Sequence, residues 1–150
     1  MLHINIIQVG KTKDSYFKEA ENEYLKRLSR YAKISVETIE EDKKGDDKIK
    51  AIEKEGESII KKIRDDAFVV ALEIGGKSYS SEEFASFLKE SGKITFVIGG
   101  PYGLSDKVLS RADARLSFSK MTFTHQMIRV ILLEQVYRGC TILEGKKYHY

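Results

Sequence analysis

The chain has 150 residues, 41% of them hydrophobic and 33% charged, which is enough apolar material for one buried core and too much for a disordered chain. No stretch approaches eighteen uninterrupted apolar residues, so a membrane-spanning helix is excluded. The net charge is +3, and residues 107–150 hold eight basic against three acidic side chains, a bias that suits an anionic partner such as nucleic acid.

Residues 3–9 (HINIIQV) read as a strand that stops at Gly10. The opening segment has no basic stretch followed by a cleavage site and reads as the start of a cytosolic chain. In residues 15–31, Phe17, Ala20, Tyr24, Leu28 and Tyr31 form one helical stripe. Residues 33–40 alternate as a strand and break in the charged run EEDKKGDD. Ile49, Ile52, Gly56, Ile59, Ile60 and Ile63 mark a second amphipathic helix. Residues 68–74 (FVVALEI) are a strand apolar enough to be buried on both faces, with a turn expected at Gly75-Gly76.

Ser80-Ser81-Glu82-Glu83 offers a capping box for a helix to about Ser91. Residues 94–98 (ITFVI) form the next buried strand, running into Gly99-Gly100-Pro101-Tyr102-Gly103. Ser105-Asp106 caps a short helix through Ala112. Residues 115–119 read as a strand, 120–124 as a loop and 125–138 as a helix apolar around nearly its whole circumference. Residues 140–143 (CTIL) read as a last strand and 144–150 as a tail. The alternation predicts a single α/β domain over residues 1–150, with a mostly parallel sheet and helices on both faces.

One cysteine, Cys140, forbids an internal disulfide, and three scattered histidines lack ligand spacing, so no metal site is expected. Parallel sheets bind ligands beyond the carboxyl ends of their strands, which directs attention to four segments. The loop Gly99–Gly103 is neither a Walker loop nor a dinucleotide fingerprint; its glycines serve either a ligand approached by backbone or the turn alone. Residues 116–125 (LSFSKMTFTH) are a strand end and a following loop whose backbone can hydrogen-bond an adenine-like edge, with Met121 and Phe123 packing on its face or else belonging to the core. Arg129 interrupts the apolar helix and requires an acceptor, for which Glu134 or an acid of a second subunit is the structural candidate. Glu134 and Arg138 stand at i,i+4 and can staple the helix. The terminal Lys146-Lys147-Tyr148-His149-Tyr150 fits a grip on phosphate and an unstacked base, and equally a frayed end.

Gly-Gly-Pro-Tyr-Gly-Leu at 99–104, Leu-Ser-Phe-Ser-Lys-Met-Thr-Phe-x-His at 116–125 and His-Gln-Met-x-Arg-Val-x-Leu-x-Glu-Gln-Val-Tyr-Arg at 125–138 closely resemble the ribosomal large-subunit methyltransferase H family of the SPOUT superfamily. Val9-Gly10-Lys11, Lys54-Glu55-Gly56 and Tyr148-His149 extend the resemblance over essentially the whole chain. Thr124 and Lys147 depart from it, standing where relatives commonly carry proline.

The resemblance implies an α/β knot, with a deep C-terminal trefoil, and a homodimer built largely on the helix from Met127. It implies S-adenosylmethionine as cofactor and methylation of N3 of a pseudouridine in 23S rRNA on the assembled ribosome, in the cytoplasm, with neither metal nor membrane. Carried over by residue, the cofactor contacts are Leu72, Gly99, Gly100 and Gly103, with Phe118, Ser119, Lys120, Met121, Thr122 and Phe123. N3 must lose a proton, and a nearby cation favours its anion. The candidates are Arg129 as that cation, His149 as proton acceptor and Tyr148 as the ring that stacks on the flipped base.

Overall fold

In the computed structural model, which describes residues 1–42 and 47–150, five strands form one parallel sheet. The elements in chain order are β1 (Leu2–Val9), α1 (Ser15–Leu28), β2 (Ala32–Ile39), α2 (Lys48–Lys62), β3 (Phe68–Ser78), α3 (Ser81–Ser91), β4 (Lys93–Ile98), α4 (Asp106–Arg111), β5 (Ala114–Ser117) and α5 (His125–Leu143). The strands lie in the order β2-β1-β4-β3-β5. Residues 43–46, at the heart of the charged run, lie outside the described residues.

Alternate positions of each central strand point to opposite faces, and both faces are apolar. Ile4 and Ile6 of β1, Val70 of β3 and Ile94, Phe96 and Ile98 of β4 meet Leu28 of α1, Phe84 and Leu88 of α3 and Leu132 and Val136 of α5. On the other face Ile7, Val9, Val69 and Val97 meet Ile59 of α2 and Val108 of α4. The steps β1→β2 and β3→β4 run one way across the sheet through α1 and α3. The steps β2→β3 and β4→β5 run the opposite way through α2 and α4 on the reverse face. This keeps one crossover hand throughout. The sense of connection reverses on both sides of β4, so a crevice opens where its carboxyl end meets those of β1 and β3.

Local signals set the helix starts. Asp47 accepts from the amides of Ile49 and Lys50, and Ser105 from that of Val108. Ser80 and Glu83 close the capping box expected of them. Thr124 caps α5 by accepting from the Met127 amide at 3.2 Å.

Two expectations are corrected. Residues 140–143 are the last turn of α5 and not a strand: Gly139 sits so close to α3 that a Cβ would meet Leu88 Cδ1 at 2.8 Å, and Cys140 is buried beside it. Packing along the α3 groove overrides the strand preference of Thr141 and Ile142. Gly75-Gly76 does not turn the chain. β3 runs through it to Ser78, with a register shift between Leu72 and Lys77 against β5. Gly76 makes that irregularity possible, since a Cβ there would stand 2.7 Å from the Arg115 carbonyl carbon. Along α5 in the single chain, Met127 is exposed and Ile128, Val130 and Ile131 are half-buried.

Candidate functional site

The carboxyl ends of β1, β3, β4 and β5 bring together the loops that sequence reasoning singled out. After β4 the chain turns back at once. Gly100 and Gly103 form an antiparallel bridge, the Gly103 amide donates to Gly100 O at 3.1 Å, and Gly103 takes φ +86°. A Cβ on Gly99 would lie 2.8 Å from both the carbonyl carbon and the oxygen of Gly103. The glycine at 99 is therefore demanded first by the loop's own backbone.

After β5, residues 118–123 run largely outside the core. No backbone–backbone hydrogen bond joins them to another segment among the described residues. Ser119 Oγ accepts from the Met121 amide at 3.0 Å, and Ser117 Oγ donates to Ser119 O at 2.9 Å, which shapes the loop locally. Met121 is 76% exposed and Phe123 is exposed too. Unpaired peptide groups between two exposed apolar side chains fit a flat, amphipathic ligand edge such as adenine. Leu72 is half-buried, pairs with Leu116 and thereby sits at the base of the same crevice.

Arg129 lies elsewhere than the ion pair with Glu134. It is 2% exposed, donating from one NH2 group to Val9 O at 2.6 Å and from the other to Thr12 Oγ1 at 3.1 Å. Thr12 donates onward to Glu21 Oε1 at 2.9 Å. Gln126, one turn earlier, accepts from the amides of Lys13 and Asp14. The first turns of α5 thus clasp the loop after β1. Arg129 Nε is buried and has no hydrogen-bond partner among the described residues, and the side chain helps to line a small cavity of about 110 Å³ with Gln8, Glu21 and Leu133. Burial pulls its guanidinium below the ordinary arginine range, opposed by Glu21 and Glu41. Burial, aided by Arg129, also lowers the half-buried His125.

Glu134 instead pairs with Arg138 at 2.6 Å, the staple expected from their spacing. That pair seats the tail. Tyr148 donates to Glu134 Oε1 at 3.2 Å, lies edge-on to Tyr137 with centroids 4.8 Å apart and carries the Arg138 guanidinium 4.7 Å over its ring. His149 places Nδ1 3.2 Å from Arg138 and Nε2 2.6 Å from Glu82 Oε1. The tail is docked and not frayed. Arg129 and Arg138 stand about 13 Å apart along the α5 axis at the usual helical rise, so Arg129 and the tail form two separate clusters within one chain.

One buried acid has no role assigned from the sequence, where it stands only within the motif Lys54-Glu55-Gly56. Glu55 is 7% exposed on the inner face of α2, at the inner end of an open cavity of about 930 Å³ between the carboxyl ends of β1 and β2. Its signal was its place on the helical stripe, three residues after Ile52 and four before Ile59.

Across the whole of this arrangement, residues 2–149 match the family described as "Predicted SPOUT methyltransferase". The chain belongs to that family. It is 50% identical to the ribosomal RNA large subunit methyltransferase H of Pelotomaculum thermopropionicum, with all of both chains covered. Similarity is comparable to the proteins of the same name from Clostridium tetani (47%) and Clostridium botulinum strain Kyoto (49%), with 99% of each chain covered in both cases. The family fold and the methyltransferase class therefore hold for this chain, and the crevice at β4 is where its family chemistry is to be sought.

Proposed function

We propose that this chain transfers a methyl group from S-adenosylmethionine to N3 of a pseudouridine in 23S rRNA of the assembled ribosome, acting as a cytoplasmic homodimer. The observation that carries the reading is the presence, beyond the carboxyl ends of one parallel sheet, of both the turned-back glycine loop 99–103 and the largely exposed stretch 119–123, whose hydrogen bonds among the described residues are local. Full-length similarity to large-subunit rRNA methyltransferases supports the substrate class. S-adenosylmethionine supplies an electrophilic methyl on its sulfonium.

The backbone of Phe118, Ser119, Lys120, Met121, Thr122 and Phe123 holds the adenine edge, and Met121 and Phe123 cover its faces. Leu72, Gly99, Gly100 and Gly103 shape the floor and wall, where absent side chains let the backbone come close. Holding two reactants in line supplies several kcal/mol of the barrier, and the remaining task is removal of the N3 proton. Arg129 serves as the buried cation that favours the N3 anion, held by the neutral acceptors Val9 O and Thr12 Oγ1 and partly offset by Glu21 and Glu41. Tyr148 stacks on the base, and His149 accepts the proton at Nδ1 once that nitrogen parts from the Arg138 guanidinium, its Nε2–H staying on Glu82. Since the tail and Arg129 are separate within one chain, the complete site draws one cluster from each protomer. Half-buried Ile128, Val130 and Ile131 with exposed Met127 give α5 the apolar surface for that contact. Calorimetry with S-adenosylmethionine tests the reading: micromolar binding supports it, and absence of binding by the folded protein rejects it.

A further inference from the structure

The 930 Å³ cavity between β1, β2 and α2 contains none of the residues assigned to the cofactor, and Glu55 of its lining is the link to them. Glu55 Oε1 lies 3.7 Å from the point a Cβ on Gly100 would occupy. Its other oxygen accepts from the Asp42 amide at 3.0 Å, the carboxylate's one hydrogen bond among the described residues. A buried carboxylate with no cation paired to it among the described residues is costly and marks a place where an N–H donor is to be received. Burial moves its pKa upward, with the Asp42 amide opposing. The cavity is lined by Lys11, Lys13, Lys54, Lys61 and Lys62 together with Glu40, Glu41 and Asp42, a mixed rim with a small excess of cations. Its volume suits one nucleotide with the lysines toward its phosphates.

We infer that this cavity receives the target nucleotide and that Glu55 is the residue that distinguishes pseudouridine from uridine, by accepting a hydrogen bond from N1–H. The inference rests on the function proposed above and adds the source of its specificity. Pseudouridine is joined to ribose through C5, which leaves N1–H as a donor that uridine does not have. N1–H points away from N3, so one edge can be read while the other faces the methyl donor. A site built to bond an N–H rejects the analogue lacking it, because the carboxylate then stays buried and unpaired. The lysines, at the rim, add affinity for phosphate without reading the base.

Glu55→Gln is the direct test. Keeping the Asp42 bond requires the glutamine oxygen to face that amide, which turns its NH2 into the cavity and sets a donor against N1–H. The measurement is kcat/KM for methyl transfer to ribosomes carrying either pseudouridine or uridine at the target position, with S-adenosylmethionine affinity measured on the same protein. The expected result is a preference for pseudouridine that falls at least tenfold in the variant, through loss on pseudouridine alone, with cofactor affinity unchanged. The double variant Lys54→Ala/Lys62→Ala should raise KM for both substrates and leave the preference intact. An unchanged preference in Glu55→Gln, including equal loss on both substrates, overturns the inference. A wild-type protein that methylates pseudouridine and uridine alike also overturns it while leaving the activity standing. A wild-type protein that methylates neither overturns the proposed function itself.

Discussion

Replacing Gly99 by alanine places a Cβ 2.8 Å from the carbonyl carbon and oxygen of Gly103, at least about 0.6 Å inside a comfortable contact. Neither atom can rotate away, because both belong to the backbone of the turn that bridges Gly100 and Gly103. Relief must come from displacement of the loop, and overpacking of this kind costs about 1–3 kcal/mol. Pro101, Tyr102 and Gly103 are exposed, so the loop can move outward without opening the core beneath Ile98. The melting temperature should then fall by about 4–8 °C for ~2 kcal/mol in a chain of this size. Cofactor binding, which needs the original loop, should weaken by about 5–150-fold as the same energy is spent to restore it. Calorimetry with S-adenosylmethionine and thermal denaturation on one preparation give both values. Unchanged affinity in a folded Gly99→Ala protein would refute the reasoning and remove the loop from the site.

Ile131→Asp should convert the dimer to a folded monomer, since an unpaired carboxylate buried at the contact costs about 3–5 kcal/mol; sedimentation of an intact dimer would contradict the α5 interface. Deletion of residues 147–150 should leave cofactor affinity unchanged and cost about 1–2 kcal/mol of stability from the lost ring and cation contacts of Tyr148. It should also lower single-turnover methyl transfer by ~10²-fold or more, whereas near-normal transfer would make the docked tail purely structural. The His149 hydrogen bond holds Glu82 below its ordinary value, so its contribution is complete above pH 4.5 and is lost as pH falls through the lowered value. Fluorescence of the docked tyrosines should report undocking of the tail in that acid range, and Glu82→Gln should abolish the transition. Glu55 carries the opposite sign: its raised pKa favours folding at low pH and penalises it as pH rises through the shifted value. Glu55→Gln should therefore melt higher than wild type at neutral pH, with the gap closing below pH 4.5; a lower melting point at neutral pH would show the carboxylate to be structurally required.

Ten elements follow the apolar periodicities in chain order, because each strand and helix here satisfies its local preference and its burial together. The exceptions are places where tertiary contact outweighs local signals. Thr141 and Ile142 favour a strand, yet Gly139 against Leu88 and Ala85 carries α5 through them. Gly75-Gly76 has the composition of a turn, but pairing of Lys77 with Leu116 prolongs β3 past it. The glycine loop and residues 118–123 were visible as motifs, since backbone-mediated sites depend on glycine and loop composition. Partners of Arg129 were not: Val9 and Thr12 lie well over a hundred residues away, and only the parallel sheet brings them to α5. Glu55 was hidden because its helix reads as an ordinary amphipathic one, and its burial depends on packing beside Gly100.

Nucleoside mass spectrometry of 23S rRNA, after ribosomes lacking the modification are incubated with this protein and S-adenosylmethionine, tests the central claim most directly. One new 3-methylpseudouridine per ribosome, absent when the target pseudouridine is replaced by a base without a ring N3–H, is the predicted result. A methyl group on any other nucleoside, or none with a protein that binds the cofactor, would contradict it.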